Sequence, residues 1–294
     1  MNCIVLSFIG KLPKYIIHCI YQIRIYSNVK IYVIINDYDS EIVNKMKEYN
    51  DIEILKYENM TDYCTKLQEH KSKFVIIDGL KERKNLFYTS FERFYLLYCL
   101  MVKKDEKNVL FMEIDNLLYD DPNNWIKYID KDIAFMMDNI KRASTGICYI
   151  KTKEILFNLI SFFDNVYLMN PPAHEWLNEM TAIYCFYNLN KESCFILPSY
   201  IDDRYMEDIY ENFSKFNSLF DPSTYGIFLL GRDTYHTGKL ITQQINPFGI
   251  IKDFNITWKI SNGLKQPYFI YNDTEILINN LHVHSKDLIN GLSK

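Results

Sequence analysis

An apolar run leads into two closely spaced carboxylates in residues 108–116, which read Asn-Val-Leu-Phe-Met-Glu-Ile-Asp-Asn. The run Asn108–Ile114 is typical of a strand that is buried on both faces. Glu113 and Asp115 lie two residues apart, and in a strand such side chains point to the same face. We therefore expect both carboxylates at the C-terminal end of this strand, where ligands bind in open α/β sheets.

The surrounding sequence alternates between strand-type and helix-type spacing, which is typical of parallel strands joined by helices. The predicted strands are Cys3–Ile9, Lys30–Ile35, Ile52–Tyr57, Phe74–Ile77, Ile133–Met137, Gly146–Ile150 and Ile276–Val283. The predicted helices are Pro13–Tyr26, Ser40–Tyr49, Thr89–Val102, Glu154–Phe163 and Glu175–Tyr187. From about Pro198 onward the pattern loosens, so we expect a single α/β domain over 1–294 with a continuous sheet and an irregular C-terminal half.

Charge and composition exclude several classes of protein. A net charge of −4 over 294 residues leaves no basic excess for a nucleic-acid polymer. The longest apolar run, Phe94–Val102, is about half of the ~20 residues that a membrane-spanning helix needs. Seven scattered cysteines indicate buried thiols in a reducing compartment. Residues 1–14 lack a secretion signal, so we expect a cytoplasmic protein, in the host cytoplasm if it is viral.

Common nucleotide and nucleophile motifs are also absent from the sequence. All nine glycines are isolated, so no dinucleotide-binding Gly-x-Gly-x-x-Gly occurs. The stretch Gly231–Lys239 is not a phosphate-binding P-loop, because Leu240 stands where Ser or Thr would hold magnesium. No Gly-x-Ser-x-Gly is present either. These absences disfavour nicotinamide, flavin and serine-hydrolase chemistry.

A pair of converging carboxylates is mutually repulsive unless it shares a proton or a cation. Mg²⁺ and Mn²⁺ accept carboxylate oxygens and keep coordination positions for phosphate oxygens. Glu113 and Asp115 could thus hold a metal–diphosphate complex. The alternative is that these acids face water or cap the next turn.

The predicted strand near the C-terminus ends in His282-Val283-His284-Ser285-Lys286. On a strand His282 and His284 face the same way, and neutral imidazole is a ligand for Mn²⁺. Lys286 would face that way if the strand continued, as a point charge for phosphate oxygens. The alternative is a solvated or structural pair of histidines.

The order of these features resembles the GT-A nucleotide-sugar glycosyltransferases. Their Asp-x-Asp motif appears here as Glu113-Ile114-Asp115, after a helix that carries Arg93. The resemblance implies a mostly parallel, Rossmann-like sheet flanked by helices, with a nucleotide-binding half over about 1–120 and an acceptor-side half over about 121–294. It also implies that Asp115 binds the metal, whereas Glu113 meets the ribose or a metal-bound water.

Further positions match this family. Ser144-Thr145-Gly146-Ile147 is similar to the small-residue turn and strand beneath the donor sugar, and Asn178-Glu179-Met180 to a later acidic motif that faces the acceptor or the anomeric carbon. The C-terminal His282–Lys286 motif resembles the histidine that completes the metal shell and the lysine that meets the diphosphate. More narrowly, the run from Asp221–Gly226 to Leu281–Lys286 is similar to poorly characterised glycosyltransferases of viruses and bacteria.

Several roles remain open at this point. Ser7 at the end of the first strand, and Asn36 and Asp37 at the end of the second, lie where the nucleoside is expected. Arg93 either reaches the diphosphate or pairs with a surface acid, Glu92 or Glu82. A weak candidate for the acceptor site is His174, beside Trp176.

Glu179 has three possible roles. It could be the base of an inverting enzyme, a group that stabilises the donor in a retaining enzyme, or an ordinary acid at a helix N-terminus.

The function expected from this resemblance is a metal-dependent, hexosyltransferase-type transfer. The donor is a nucleoside-diphosphate sugar, with UDP as the expected nucleotide, and the acceptor is a hydroxyl on a glycan or protein. Asp115 and Glu179 are the expected catalytic residues. The alternatives are a catalytically degenerate module that binds nucleotide or glycan, and a nucleotidyltransferase that releases pyrophosphate.

Overall fold

The structure is a computed structural model, and it describes residues 1–38, 40–60, 84–139, 141–168, 178–201, 212–231 and 255–294. The helices are α1 (Ile16–Tyr26), α2 (Ser40–Lys47), α3 (Lys84–Lys104), α4 (Pro122–Ile126), α5 (Lys153–Phe162), α6 (Glu179–Leu189), α7 (Phe213–Phe216) and α8 (Thr224–Leu230). The strands are β1 (Cys3–Phe8), β2 (Lys30–Ile35), β3 (Ile52–Lys56), β4 (Val109–Met112), β5 (Asn116–Leu118), β6 (Ile133–Asn139), β7 (Arg142–Ile150), β8 (Cys194–Ile196), β9 (Ser218–Leu219), β10 (Ile256–Ser261), β11 (Leu264–Tyr271), β12 (Thr274–Ile278) and β13 (Asn280–His282). Short 3₁₀ helices lie at Tyr57–Met60 and Ile289–Gly291, and a π-helical turn lies at Phe163–Tyr167.

A seven-stranded sheet forms the centre of the molecule, in the order β3-β2-β1-β4-β7-β6-β8. The strands β3, β2, β1 and β4 pair in parallel, and β8 is parallel to β6. Strand β7 is antiparallel to both of its neighbours. The predicted α/β class, with a mostly parallel sheet and flanking helices, is confirmed. The strand expected over Phe74–Ile77 lies outside the described residues.

The parallel strands end together at one edge of this sheet. Leu6 of β1 is in register with Val33 of β2 and with Met112 of β4. The residues that follow these strands therefore lie along the same edge, which places Asn36 and Glu113 on it. The register makes this edge the place where polar side chains from distant parts of the sequence meet.

The apolar runs form these strands because both of their faces are covered. Every residue of β4 is buried, and so are five of the six residues of β2. Helix α3 covers one face of β4, where the rings of Phe94 and Phe111 lie 6.2 Å apart. Burying one such side chain stabilises the fold by about 1.5–3 kcal/mol.

The C-terminal half is more regular than the sequence predicted. The strand expected over Ile276–Val283 is two strands, because the chain changes sheets at Asn279. Strand β12 belongs to a four-stranded sheet in the order β10-β11-β12-β9, whereas β13 pairs with β5. The buried Asn279 side chain donates to Ser218 Oγ at 2.7 Å and fixes this change of direction. Strands β10 and β11 escaped prediction because most of their residues are half-exposed and lack a clear apolar alternation.

None of the helices in the described ranges combines the length and the apolar character that crossing a membrane requires.

Candidate functional site

The two carboxylates lie in a turn and not on a strand. Strand β4 ends at Met112, and the N–H of Asn116 donates to the carbonyl of Glu113 at 3.1 Å, which closes the turn. The N–H of Glu113 donates to the carbonyl of Gly146 at 2.9 Å. The expectation that a strand over Asn108–Ile114 aligns the two acids was wrong. They converge because the turn after β4 redirects them.

The C-terminal part of the chain returns to this turn through β13. His282 lies opposite Asn116 in the antiparallel pairing of β13 with β5. One residue further, the N–H of Val283 donates to the carbonyl of Asp115 at 2.8 Å. The two segments are more than 160 positions apart in sequence, and backbone hydrogen bonds fix them side by side.

Glu113, Asp115 and His282 form a group that could hold a metal ion. Nε2 of His282 lies 3.3 Å from Oε2 of Glu113 and 3.4 Å from Oδ2 of Asp115. One ligand atom from each of the three residues lies within 4.8 Å of the others. Neighbouring ligands of a six-coordinate ion with bonds of about 2.1 Å are about 3 Å apart. The spacing of these atoms therefore suits a small divalent cation.

The second histidine does not belong to that group. Strand β13 ends at His282, so the expected strand geometry that would align His284 with it does not hold. The ring of His284 lies 5.0 Å from the ring of His282, in the turn that follows. Of the two histidines that the sequence offers as metal ligands, His282 is the one that lies with Glu113 and Asp115 among the described residues.

Lys286 reaches the site by a backbone turn. Its φ of 62° is in the left-handed region, which ends the extended course of the chain. The Nζ atom forms an ion pair with Oδ2 of Asp115. Burial alone would raise the pKa of Asp115, but the charges of Lys286 and His282 outweigh it and hold the pKa well below its ordinary value. Asp115 is therefore an ionised carboxylate.

Arg93 of α3 is buried beneath the same site. It forms ion pairs with Glu113 and with Oε1 of Glu179, the latter at 3.1 Å. It also donates to Oγ1 of Thr145 at 2.8 Å. Burial lowers the pKa of Arg93, and the acids beside it oppose that shift. The surface pairing with Glu92 is not formed.

Glu92 instead accepts a hydrogen bond from the hydroxyl of Tyr57 at 2.5 Å. The other proposed surface partner, Glu82, lies outside the described residues.

Glu179 is the first residue of α6 and is only 8% exposed. Asn178, the residue before Glu179, caps this helix, because its Oδ1 accepts the N–H of Thr181 at 2.8 Å. The Glu179 carboxylate is thereby left to face Arg93 and the site. His174 and Trp176 lie outside the described residues.

Gly146 forms the floor of the site from β7. Ser144 and Thr145 belong to this strand, so the turn expected at that point was wrong. A Cβ on Gly146 would lie 3.2 Å from Nδ1 of His282 and 3.5 Å from Oε2 of Glu113. A larger residue at this position would therefore press on the His282 ring and the Glu113 carboxylate.

Ser7, Asn36 and Asp37 lie at the same edge of the sheet. Ser7 is in β1, and Asn36 directly follows β2. Oδ1 of Asn36 accepts the N–H of Gly10 at 2.8 Å, and Oδ2 of Asp37 accepts the N–H of Leu12 at 3.3 Å. The two side chains thus hold the loop that follows β1.

The charged groups around the site carry a negative excess. Four carboxylates lie in contact with its elements: Glu113, Asp115, Glu179 and Asp221. Two cationic side chains pair with them in the described part of the chain: Arg93 and Lys286. A nearby acid, Asp138, is paired separately with Arg142. The four carboxylates outnumber the two cationic side chains by two, an excess that a divalent cation would neutralise.

Sequence reasoning gave no role to a buried pair of asparagines. Nδ2 of Asn280 donates to Oδ1 of Asn116 at 3.0 Å and so ties β13 to the turn of the carboxylates. Asn279 and Asn280 interrupt the apolar run that precedes His282. Polar side chains inside a strand that is otherwise apolar are the signal that could have revealed this contact.

Neither a protein-family model nor a curated protein matches the chain. Three solved structures to which it is similar are glycosyltransferases. Mouse xyloside xylosyltransferase 1 is 9% identical with a TM-score of 0.45, covering 67% of this chain and 85% of that one. The PaToxG glycosyltransferase is 11% identical with a TM-score of 0.41, covering 65% and 70%. The glycosyltransferase GlyE of Streptococcus pneumoniae TIGR4 is 13% identical with a TM-score of 0.41, covering 66% and 44%.

Proposed function

We propose that this protein is a metal-dependent glycosyltransferase. It transfers a sugar from a nucleoside-diphosphate sugar, with UDP as the nucleotide, to a hydroxyl group of a glycan or protein. The proposal depends chiefly on one observation, which is that Glu113, Asp115 and His282 converge at the C-terminal edge of the parallel strands with Lys286 beside them.

The residues present fit a divalent cation. Two carboxylates and one imidazole are ligands that Mn²⁺ and Mg²⁺ accept, and the charges of the described groups leave an excess for the ion to neutralise. When bound, such an ion would neutralise the charge that develops on a departing diphosphate. Asp115 and His282 would hold it directly, and Glu113 would bind it directly or through a water molecule.

The remaining residues have roles that follow from their positions. Lys286 offers a mobile ammonium to phosphate oxygens, because its side chain is 40% exposed and reaches the site from the rim. Glu179 forms an ion pair with Arg93, which also pairs with Glu113. It would act on the acceptor hydroxyl or on the sugar carbon that reacts. Ser7, Asn36 and Asp37 line the edge where the nucleoside would bind.

The decisive experiment compares the wild-type protein with Asp115→Ala. We expect the wild type to bind Mn²⁺ and to release a nucleoside diphosphate from a nucleotide sugar in the presence of Mn²⁺, as measured by calorimetry and product chromatography. Asp115→Ala should lose both properties. A matched control is Asp130→Ala, an acid that pairs with Lys215 at the surface and should leave both unchanged.

The outcome also separates the alternatives. Full turnover in Asp115→Ala would contradict the metal role. Nucleotide binding without turnover in the wild type would indicate a binding module, and release of pyrophosphate would indicate a nucleotidyltransferase. A panel of nucleotide sugars tested for thermal stabilisation would identify the donor, since a ligand that binds only the native state raises the melting temperature.

A further inference from the structure

We propose that Asp221 is a positioning residue that sets the place of His282 in the candidate metal site. This inference rests on the proposed function. The contact of Asp221 with His282 is made through the backbone N–H of His282. The Asp221 carboxylate holds the backbone of His282 and the first turn of α8 in one arrangement.

The Asp221 carboxylate is fully buried and accepts four backbone N–H groups. Oδ1 accepts from Ser223 at 2.8 Å and from Tyr225 at 2.9 Å. Oδ2 accepts from Gly226 at 2.7 Å and from His282 at 2.9 Å. Burial raises the pKa of Asp221, and the hydrogen bonds from these backbone groups oppose that shift. A carboxylate with this many donors is an anchor between two elements and not a solvent-facing cap.

The backbone on both sides is adapted to this anchor. Ser223 has a φ of 125°, a conformation that costs free energy in any residue other than glycine and that turns its N–H towards Asp221. At Gly226 an added Cβ would overlap the carbonyl oxygen of His282, so only glycine lets α8 approach β13 this closely. The strained φ of Ser223 and the need for glycine at position 226 thus both belong to the contact between α8 and β13.

The hydrogen bonds around Asp221 also reach the turn that carries Asp115. Oδ1 of Asn280 accepts the backbone N–H of Asp221 at 3.0 Å, and Nδ2 of Asn280 donates to the carbonyl of Asp221 at 3.2 Å. That Nδ2 atom also donates to Asn116, the residue after Asp115. Asp221 therefore lies where α8, β13 and the carboxylate turn are joined, and it would fix the separation of His282 Nε2 from the two acids.

The replacement Asp221→Asn tests this role with little change in shape. Each carboxylate oxygen accepts from two N–H groups, so the amide NH₂ must face two donors in either orientation. We expect the Kd for Mn²⁺ alone to rise at least tenfold by calorimetry. Because the ligands themselves remain, a saturating concentration of Mn²⁺ should restore most of kcat, while the Mn²⁺ concentration for half-maximal activity rises.

The matched control is Tyr225→Phe, in the same helix turn. It removes the hydrogen bond from the Tyr225 hydroxyl to the carbonyl of Ser199 and leaves the Asp221 contacts in place. Its Kd for Mn²⁺ should stay within twofold of wild type, even though its melting temperature falls. Weakening by the control as great as that by Asp221→Asn would overturn the proposal, since it would reflect general loosening of α8.

A second variant covers the case in which Asp221→Asn does not fold. Gly226→Ala keeps the carboxylate but forces α8 and β13 apart, so it too should raise the Kd for Mn²⁺ at least tenfold. In the wild type, the His282 amide proton should resonate far downfield, as expected for an N–H bonded to a buried carboxylate, and exchange slowly. A His282 amide without these signatures would contradict the anchor whatever the variants do.

Different results would overturn the positioning role of Asp221 and the proposed function. If the wild type binds Mn²⁺ and Asp221→Asn binds it equally well, only the positioning role is overturned. If the wild type itself does not bind Mn²⁺, the proposed function is overturned, and the positioning role with it.

Discussion

Lys286 and a metal ion would compete for the same carboxylate. The Lys286 ammonium contacts Oδ2 of Asp115, the oxygen that also faces His282. A cation that enters the site must share Asp115 with this ammonium or displace it. The lysine would therefore weaken the binding of a free ion, and its charge would become favourable if a diphosphate bound together with the ion.

Replacement of Lys286 by methionine should separate these two effects. We expect Lys286→Met to bind Mn²⁺ alone about tenfold more tightly, which is about 1.4 kcal/mol, because a competing positive charge is gone. Turnover of a nucleotide sugar should fall about a hundredfold, since the leaving diphosphate loses a cation. Lys259→Met, which breaks a surface pair with Glu275, serves as the control. Unchanged affinity for Mn²⁺ in Lys286→Met would refute the competition.

Glu179 can be tested against the rival role of an acid at a helix N-terminus. If its carboxylate acts at the reacting centre, Glu179→Gln should lower kcat by about a hundredfold or more and leave Mn²⁺ affinity unchanged. If it serves only the helix N-terminus and the ion pair with the buried Arg93, the change should lower the free energy of unfolding and spare turnover. The matched control is Glu154→Gln in the first turn of α5, which lies away from the site.

At the scale of elements, the site depends on how the C-terminal segment is anchored. The buried Gln22 of α1 donates to the carbonyl of Leu118 and to Oγ of Ser293, both at 2.7 Å. Its Oε1 atom accepts the N–H of Ser293 at 3.1 Å. One side chain thus joins α1, β5 and the end of the chain beyond Lys286.

Gln22→Ala should therefore destabilise the fold more than an ordinary polar truncation. It leaves buried groups of Leu118 and Ser293 without their partner, and each such group costs about 1–3 kcal/mol. We expect the free energy of unfolding in urea to fall by about 3 kcal/mol. The comparison is Gln266→Ala, which loses a part-buried hydrogen bond to the carbonyl of Tyr119 and a longer one, at 3.3 Å, from the Tyr268 hydroxyl, and which should cost about 1 kcal/mol. Equal losses in the two variants would contradict the anchoring role.

For the whole molecule, buried tyrosines predict a limit to stability at high pH. Burial raises the pKa of Tyr119 and of Tyr225 well above the ordinary value of 10.0. Their hydroxyls donate to the carbonyls of Gly291 and Ser199. Above pH 10 the unfolded chain loses these protons while the folded protein keeps them, so ionisation favours unfolding.

The free energy of unfolding should thus decrease as pH rises above 10, by about 1.4 kcal/mol per pH unit for each of the two tyrosines. Urea unfolding at a series of pH values measures this slope. Tyr119→Phe should reduce the slope by the contribution of one tyrosine, about 1.4 kcal/mol per pH unit. A slope that is the same in wild type and Tyr119→Phe would show that Tyr119 does not set it.

The local pattern of apolar residues predicted the N-terminal half well. Strand β2 was predicted to the residue, and β1 and β3 to within one residue at their ends. These strands are continuous apolar runs, and burial on both faces is a property that each run carries by itself. The C-terminal half was predicted less well, since β10 and β11 carry no such run and the run before His282 divides between two sheets.

Local patterns in the sequence are enough to predict the α/β class and a set of candidate site residues. Asp115, His282, Lys286 and Arg93 were identified from residue type and order alone. The tertiary structure decided which of them meet. Which side chains meet depends on contacts between segments more than 160 positions apart, such as β13 and β5. It also depends on turns, where side-chain directions follow neither the strand nor the helix period. For that reason Glu113, and not His284, lies with Asp115 and His282 in the candidate metal site, and Arg93 pairs with two acids, Glu113 and Glu179, that the sequence could not assign to it.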